Sequence, residues 1–365
     1  MDMPTSAEPT TAVADEISFP FPDYPAAGTA TEVADGIFWV STPVPFVGLK
    51  QVNLWLVRDR DGWTMIDCGY GRAPVRELLE QVWSQVLGAG RVTRLIVTHF
   101  HPDHAGNSRF ICRRFGLRPL MSQGEWFAAH MARADRDTDA IAERATFYRR
   151  HGLEPARLDR FLAQVLPYKD GVELPSDYRR LRNGDTVAIG SDRWTVIVGE
   201  GHSPEHVSLH CAERRILIAG DQILPAITTN VSTWQVEPEF DAVGAFLATC
   251  KAFLGVLHRD TLILPSHRKP FTNVRRRLRE LSVHHAARLN LILKHAGSET
   301  AAGDLIDILF TPGLDGHQIG FAMGEAIAHL NHLVALGYMR MIETSDSVRY
   351  RRVAGNRTEV VPAFR

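Results

Sequence analysis

The stretch Thr98-His99-Phe100-His101-Pro102-Asp103-His104-Ala105-Gly106-Asn107 decides how this chain is read. It follows the apolar run Leu95-Ile96-Val97 and sets three imidazoles and a carboxylate within six consecutive residues. Neutral imidazole nitrogen and carboxylate oxygen are the usual ligands of a borderline divalent ion such as zinc. A regular helix would scatter four such side chains. At the end of a strand running into a tight turn they can converge, because His99 and His101 share one face by the strand period of two. Asp103 and His104 can then turn back from the loop, with Gly106 easing the chain away. A cluster of this kind needs distant partners, and the rest of the chain supplies candidates.

Strand signals begin at Thr31. Ile37 to Val40, Val52 to Val57 and Trp63 to Ile66 carry the β-branched and aromatic residues of strands. Pro43 to Gly48 reads as a loop between the first two. The third strand runs into the turn Asp67-Cys68-Gly69, a helix is expected from Pro74 to Leu87, and Arg94 to Val97 forms the next strand. Beyond the histidine cluster come a helix through Phe115, a short strand at Pro119-Leu120-Met121 and a long insertion, about 123–170. Its helical stretches are 125–131, 140–151 and 158–166, natural lids or dimer contacts. Their aromatics, Trp126, Phe127, Phe147 and Tyr148, either line a pocket or pack an amphipathic hairpin.

Strands return at 186–189 and 194–198, the latter followed by Gly201-His202-Ser203-Pro204-Glu205-His206. Two more, 208–211 and 215–219, lead to Gly220-Asp221, and after a helix over 241–257 the strand 261–265 ends in Ser266-His267. Four strand ends thus present His99, His202, Asp221 and His267. Strands alternating with helices argue for an α/β core. Lone histidines such as His206, His210 and His258 read as satisfied core or surface residues.

Composition bounds the function. The 365 residues suffice for a full core and more than one domain. A formal net charge of −1 gives no global basic field, which argues against a general nucleic-acid binder. The four cysteines, Cys68, Cys112, Cys211 and Cys250, are scattered without a CxxC pair and read as reduced thiols. The polar opening MDMPTSAEPTTAVADE lacks a basic and an apolar signal region, and no run of apolar residues is long enough for a membrane span, so a cytoplasmic location is expected. Residues 1–30 read as a flexible arm, whose aromatics, Phe19, Phe21 and Tyr24, could instead pack on the body or a second subunit.

From Asn273 the composition changes. A long helix from Arg275 to about His295 is expected, then one from Thr300 to Phe310 with Thr300 as N-cap, then a third within Gly316 to Leu336. A hairpin of 338–342 and 347–351 follows. Three helices and a hairpin look like a winged helix. The third helix contains no Lys or Arg between Ile319 and Leu330, so a cap or homodimerisation module is expected rather than a groove reader. The division is therefore an arm (1–30), a catalytic domain (31–272) and a winged-helix-like domain (273–365).

The order HxHxDH, then a His after a strand, then Ala-Gly-Asp, then Ser-His, with Asp67-Cys68-Gly69 upstream, resembles the metallo-β-lactamase superfamily over about residues 31–270. The resemblance implies an αββα sandwich with a binuclear metal site at one edge. It assigns His99, His101 and His202 to the first metal, Asp103, His104 and His267 to the second, and Asp221 to a bridge between them. It implies two divalent ions, zinc by default with iron or manganese as alternatives, and a bridging hydroxide that attacks a carbonyl. Asp103 would orient that hydroxide and move its proton, and Asp67 would fix the histidine loop. The hydrolase core with its tail resembles the branch of glyoxalase II-like thioester hydrolases and lactamase-like endoribonucleases. A small thioester is therefore the expected substrate. A lactone or β-lactam by the same mechanism, a phosphodiester or RNA, and a non-catalytic binding protein are the alternatives. Arg268 and Lys269 follow His267 and could meet an anionic group.

Overall fold

The computed structural model describes residues 16–46, 48–134, 138–164, 170–354 and 359–364. One sheet holds β1 (Ala30–Ala34), β2 (Ile37–Phe46), β3 (Leu49–Asp59), β4 (Gly62–Ile66), β5 (Val92–Ile96), β6 (Leu120–Met121) and β7 (Arg179–Arg180) in chain order. The second holds β8 (Thr186–Ile189), β9 (Asp192–Gly199), β10 (His206–Cys211), β11 (Ile216–Gly220) and β12 (Leu262–Pro265), ordered β12-β11-β10-β9-β8.

Alternation along each strand explains the layering. Trp39 of β2, Trp55 of β3 and Ile96 of β5 face Trp194, Val207, Leu209 and Ile218 of the other sheet. Their neighbours Val40, Leu54, Leu56 and Leu95 point outward against α1 (Ala73–Val86), α3 (Ser108–Phe115) and α4 (Gln123–Ala134). On the far side Leu217, Ala219 and Ile263 bury against α7 (Ala242–Val256) and α8 (Val274–His295). The result is the expected αββα sandwich.

Two parallel pairs set the edge where function gathers. β4 and β5 end together at Ile66 and Ile96, and β11 and β12 end together at Gly220 and Pro265. The sheets are stitched there by backbone hydrogen bonds: Asn53 N–H to the Ser266 carbonyl at 2.6 Å and Val207 N–H to the Thr98 carbonyl at 2.8 Å.

Several expectations are corrected. Pro43 to Phe46 is not loop but the end of β2, with Phe46 paired to Leu49 across the turn. From Glu16 onward the N-terminal arm is laid on the body. Ser18 bridges to Thr272, the Tyr24 ring lies 5.3 Å from that of Trp39, and Lys269 donates to the Pro22 carbonyl. Lys269 thus holds the arm. Thr300 does not cap a helix; it exchanges backbone hydrogen bonds with Tyr350. The second tail helix starts later, as a 3-10 turn over Gly303–Leu305 that leads into α9 (Ile306–Leu309).

The insertion helices α5 (Thr138–Arg150) and α6 (Pro155–Gln164) share one apolar core with the tail. Phe147, Tyr148, Leu158 and Phe161 bury against Ile319, Met323 and Ile327 of α10 (Gly316–Ala335), as do Met339 of β13 (Met339–Glu343) and Val348 of β14 (Val348–Arg352). Trp126 packs on the first sheet, whereas Phe127 is 57% exposed. A capping box of Asp315 and Gln318 starts α10. Glycines four apart let it come close to its neighbours. A Cβ on Gly316 would lie 2.3 Å from the Arg160 carbonyl of α6, one on Gly320 2.9 Å from the Phe161 ring, and one on Gly324 2.8 Å from Ser232. The apolar third helix without Lys or Arg is accounted for: it is buried between the insertion and the loop that carries Ser232, and its Glu325 pairs with Arg288 at 3.2 Å.

Gly316→Val is therefore expected to destabilise the protein by about 2 kcal/mol or more, since the backbone it would strike cannot turn aside. Gly255→Ala, in an exposed turn of α7 with open space around it, is expected to be neutral or stabilising by up to about 1 kcal/mol. Urea unfolding of both variants checks the contrast.

Candidate metal centre

The site is built on Asp67, the residue after β4. It takes a left-handed backbone conformation (φ 62°), which Asp tolerates better than most side chains. Its buried carboxylate accepts the Thr98 N–H at 2.7 Å, the Thr98 hydroxyl at 2.9 Å and His104 Nδ1–H at 2.9 Å. Cys68 N–H donates to the His104 carbonyl at 2.8 Å, and the Asn107 amide donates to the Cys68 and Tyr70 carbonyls. Loop 67–70 and the segment 98–107, which contains the short helix α2 (Pro102–Ala105), are thereby one unit. The fit requires Gly106, where a Cβ would lie 2.4 Å from the Gly69 carbonyl.

Four of the five imidazoles are aimed by the second nitrogen, His104 through Asp67 as above. The single Thr98 hydroxyl proton goes to Asp67, so Thr98 Oγ1 accepts from His99 Nδ1, 3.0 Å away. His202 Nδ1 donates to the Asn230 carbonyl at 2.7 Å, and His267 Nδ1 to the Gln51 carbonyl at 2.9 Å. These bonds leave Nε2 of His99, His104, His202 and His267 as the free ends.

The free ends converge. His99 Nε2 lies 3.0 Å from His101 Nδ1 and 3.2 Å from His202 Nε2. Asp103 Oδ2 lies 3.6 Å from His104 Nε2 and 3.4 Å from His267 Nε2. Asp221 Oδ2 stands between the groups, 3.6 Å from His202, 3.7 Å from His104 and 3.4 Å from His267, and 4.0 Å from His99, all at Nε2. All seven residues singled out in the sequence come together, as a His99-His101-His202-Asp221 group and an Asp103-His104-His267 group.

This donor set fits two cations. Lone pairs of His99 and His202 facing at 3.2 Å repel unless a cation lies between them. His104 Nε2 and Asp221 Oδ1 are buried without a hydrogen-bond partner, a cost that coordination removes.

Protonation differs between the groups. Burial and the neighbouring imidazoles push His99 well below its ordinary pKa, burial and His202 bring His101 to about 3, and burial lowers His202. These are neutral ligands at neutral pH. Burial also works against charge on His104, but Asp103, Asp221 and Asp67 outweigh it and raise the pKa to about 9. His267 is raised well above its usual value by Asp221 and Asp103 against the same burial. Burial favours the neutral acids of Asp103 and Asp221, yet the facing imidazoles hold both below the ordinary carboxylate range.

Some supporting residues gave no signal in the sequence. Glu125 of α4 is fully buried and joins both histidine loops, accepting Phe100 N–H at 2.8 Å, the Ser203 hydroxyl at 2.6 Å and Glu205 N–H at 2.8 Å. Burial raises its pKa to about 7 despite those donors. His206 is a buried core histidine whose Nε2 accepts the backbone N–H of Asp221 at 3.1 Å and so places that carboxylate, while its Nδ1 is buried without a hydrogen-bond partner.

Residues 47–279 match the profile of the Metallo-beta-lactamase superfamily, and residues 289–353 that of the Metallo-beta-lactamase-like, C-terminal domain. The first match ends and the second begins within α8. Among curated proteins, the acyl-coenzyme A thioesterase MBLAC2 of Homo sapiens is 25% identical over 256 residues, 66% of this chain and 80% of that protein. Its Bos taurus counterpart is 25% identical over 251 residues, with the same coverage. A beta-lactamase domain protein from Burkholderia ambifaria superposes with a TM-score of 0.86 at 39% identity, covering 94% of this chain and 100% of its own. A metallo-beta-lactamase family protein from Thermus thermophilus gives 0.74 at 26% identity, covering 88% and 100%.

Two outcomes are expected. Asp67→Asn keeps the turn but removes the charge that aims Thr98 and His104, so zinc affinity is expected to fall roughly 10–100-fold by chelator competition. Unchanged affinity would contradict this role. His104, with its pKa raised to about 9, holds a proton at pH 7.5 that a cation must displace. Zinc titration at pH 7.5 is therefore expected to release protons, and affinity to weaken as pH falls below about 9; calorimetry in two buffers of different ionisation enthalpy reads the release.

Proposed function

The chain belongs to the metallo-β-lactamase superfamily, and on that premise we propose that it hydrolyses thioesters at a site for two divalent ions, zinc by preference. The observation that carries the reading is the pair of adjoining ligand groups, with Asp221 of the first within 3.7 Å of His104 and 3.4 Å of His267, whose nitrogen and oxygen donors suit zinc. The substrate class is supported by the acyl-coenzyme A thioesterase relatives.

His99, His101 and His202, with Asp221, would hold one ion, and Asp103, His104 and His267 the other, with Asp221 within reach of both groups. When bound, such ions acidify water toward neutral pH and polarise a carbonyl oxygen. The chain's own part is orientation. Nδ1 bonds to Thr98, Asp67, Asn230 and Gln51 fix four rings before substrate arrives, so the donors need not reorganise during reaction. Asp103, beside His104 and His267, would serve as the catalytic carboxylate that orients the attacking water and accepts its proton. A thiol leaving group, with an ordinary pKa of about 8.5, departs as thiolate with little help from an acid.

The test is metal content with a substrate panel: acyl-coenzyme A and acyl-glutathione thioesters, lactones, β-lactams and bis-p-nitrophenyl phosphate. Two metals per chain and thioester turnover are expected. Asp103→Ala is expected to lower kcat by roughly 100-fold or more, and His202→Ala to lose metal and activity together. Turnover of phosphodiesters alone would overturn the substrate class. Thioester turnover indifferent to both substitutions would overturn the mechanism.

A further inference from the structure

A line of aromatic rings runs from the loop beside the candidate metal centre across α10 to Trp234. Tyr70 hangs from the loop packed beneath His104 and Gly106, and its ring meets Phe46 edge-on at 5.6 Å. Phe46 closes the β2–β3 hairpin, five residues before Gln51, whose carbonyl aims His267. Its ring stacks on His317, in the first turn of α10, at 5.3 Å with the planes 3° apart. His317 meets Phe321 edge-on at 4.7 Å, and Phe321 lies 6.2 Å from Trp234. Trp234 is four residues beyond Asn230, whose carbonyl aims His202. The line therefore starts on the loop bonded to His104, and its last ring belongs to the loop whose Asn230 carbonyl aims His202.

Its exposure is what a core would not show. Tyr70 is buried, but Phe46, Trp234, His317 and Phe321 are each partly exposed. Such a row of rings favours an apolar cover. Burial lowers the His317 pKa although Asp315 and Asp103 oppose it, so its imidazole is a neutral flat face at neutral pH. The Arg72 guanidinium lies 5.3 Å over the buried Tyr70 ring, but the exposed part of the line, rings and one neutral imidazole, suits hydrocarbon rather than the phosphates of a carrier. The continuity of the line with the catalytic centre makes the substrate its occupant.

We propose that this line of rings is the acyl-chain subsite, that the preferred substrates are thioesters of hydrocarbon-chain acids, and that His317 of the C-terminal region is a specificity-determining residue. The proposal rests on the thioester reading above. Each methylene laid on the rings is expected to raise kcat/KM by up to roughly threefold until the line is filled.

The experiment uses the metal-loaded full-length protein and acyl-coenzyme A substrates from acetyl to palmitoyl. Wild type is expected to prefer long chains. In His317→Ala the ratio of kcat/KM for dodecanoyl over acetyl is expected to fall roughly tenfold, and His317→Phe to restore most of it. Phe46→Ala, on a separate element, is expected to reduce the same ratio. An unchanged ratio in both alanine variants, or equal losses at every chain length, would overturn the subsite. Should neither acyl-coenzyme A nor acyl-glutathione be turned over, the thioester reading fails, and binding of the matching alkyl-coenzyme A thioethers reads the rings directly. Affinity that rises with chain length in wild type and is flat in the variants supports the subsite; flat affinity in wild type overturns it.

Discussion

The buried carboxylate of Asp67 is the constraint on which the rest depends. An ionised carboxylate away from water is expensive unless its lone pairs are filled, and here a backbone N–H, a hydroxyl and an imidazole fill them. Each donor has a second task. Thr98 orients His99, its carbonyl joins the second sheet through Val207, and His104 projects its other nitrogen into the metal centre. The same bonds that close the sheet edge therefore aim the ligands. Fold and site cannot be varied independently at this point, and a single left-handed residue after β4 makes the convergence possible.

A second dependence runs through the helices outside the sandwich. Glu125 ties the insertion to both histidine loops, and Gly324 receives the loop whose Asn230 carbonyl holds His202, with Thr233 N–H donating to the Gly324 carbonyl at 3.0 Å. Insertion and tail share one core, so they pack as one unit rather than as separate appendages. Among the described residues no helix is long and apolar enough to cross a membrane.

Much of this was legible in the sequence because apolar runs and one polar cluster are local signals. The apolar runs of β3 and β11 announce strands buried on both faces, and HxHxDH after such a run announces a strand-end ligand cluster. Asp221 and His267 were found because each follows a strand. Glu125 was not, since a glutamate in a helical run looks the same whether it faces solvent or caps two loops. Thr300 was misread because its partner, Tyr350, lies fifty residues away, and a local capping pattern carries no information about such a pairing. Pro43 and Pro45 pointed to a loop, yet proline is tolerated where a strand frays toward a hairpin end, and the pairing continues to Phe46. The glycine spacing in α10 was visible, but its meaning lies in what approaches it: the Arg160 carbonyl, the Phe161 ring and Ser232.

The central claim is that one constellation holds two cations with Asp221 between them. Anomalous X-ray diffraction at the metal absorption edge, on crystals of the metal-loaded protein, tests it most directly. Two peaks are expected, one among His99, His101 and His202 and one among Asp103, His104 and His267, with Asp221 in contact with both. A single peak at full metal loading, or peaks away from these side chains, would contradict the account.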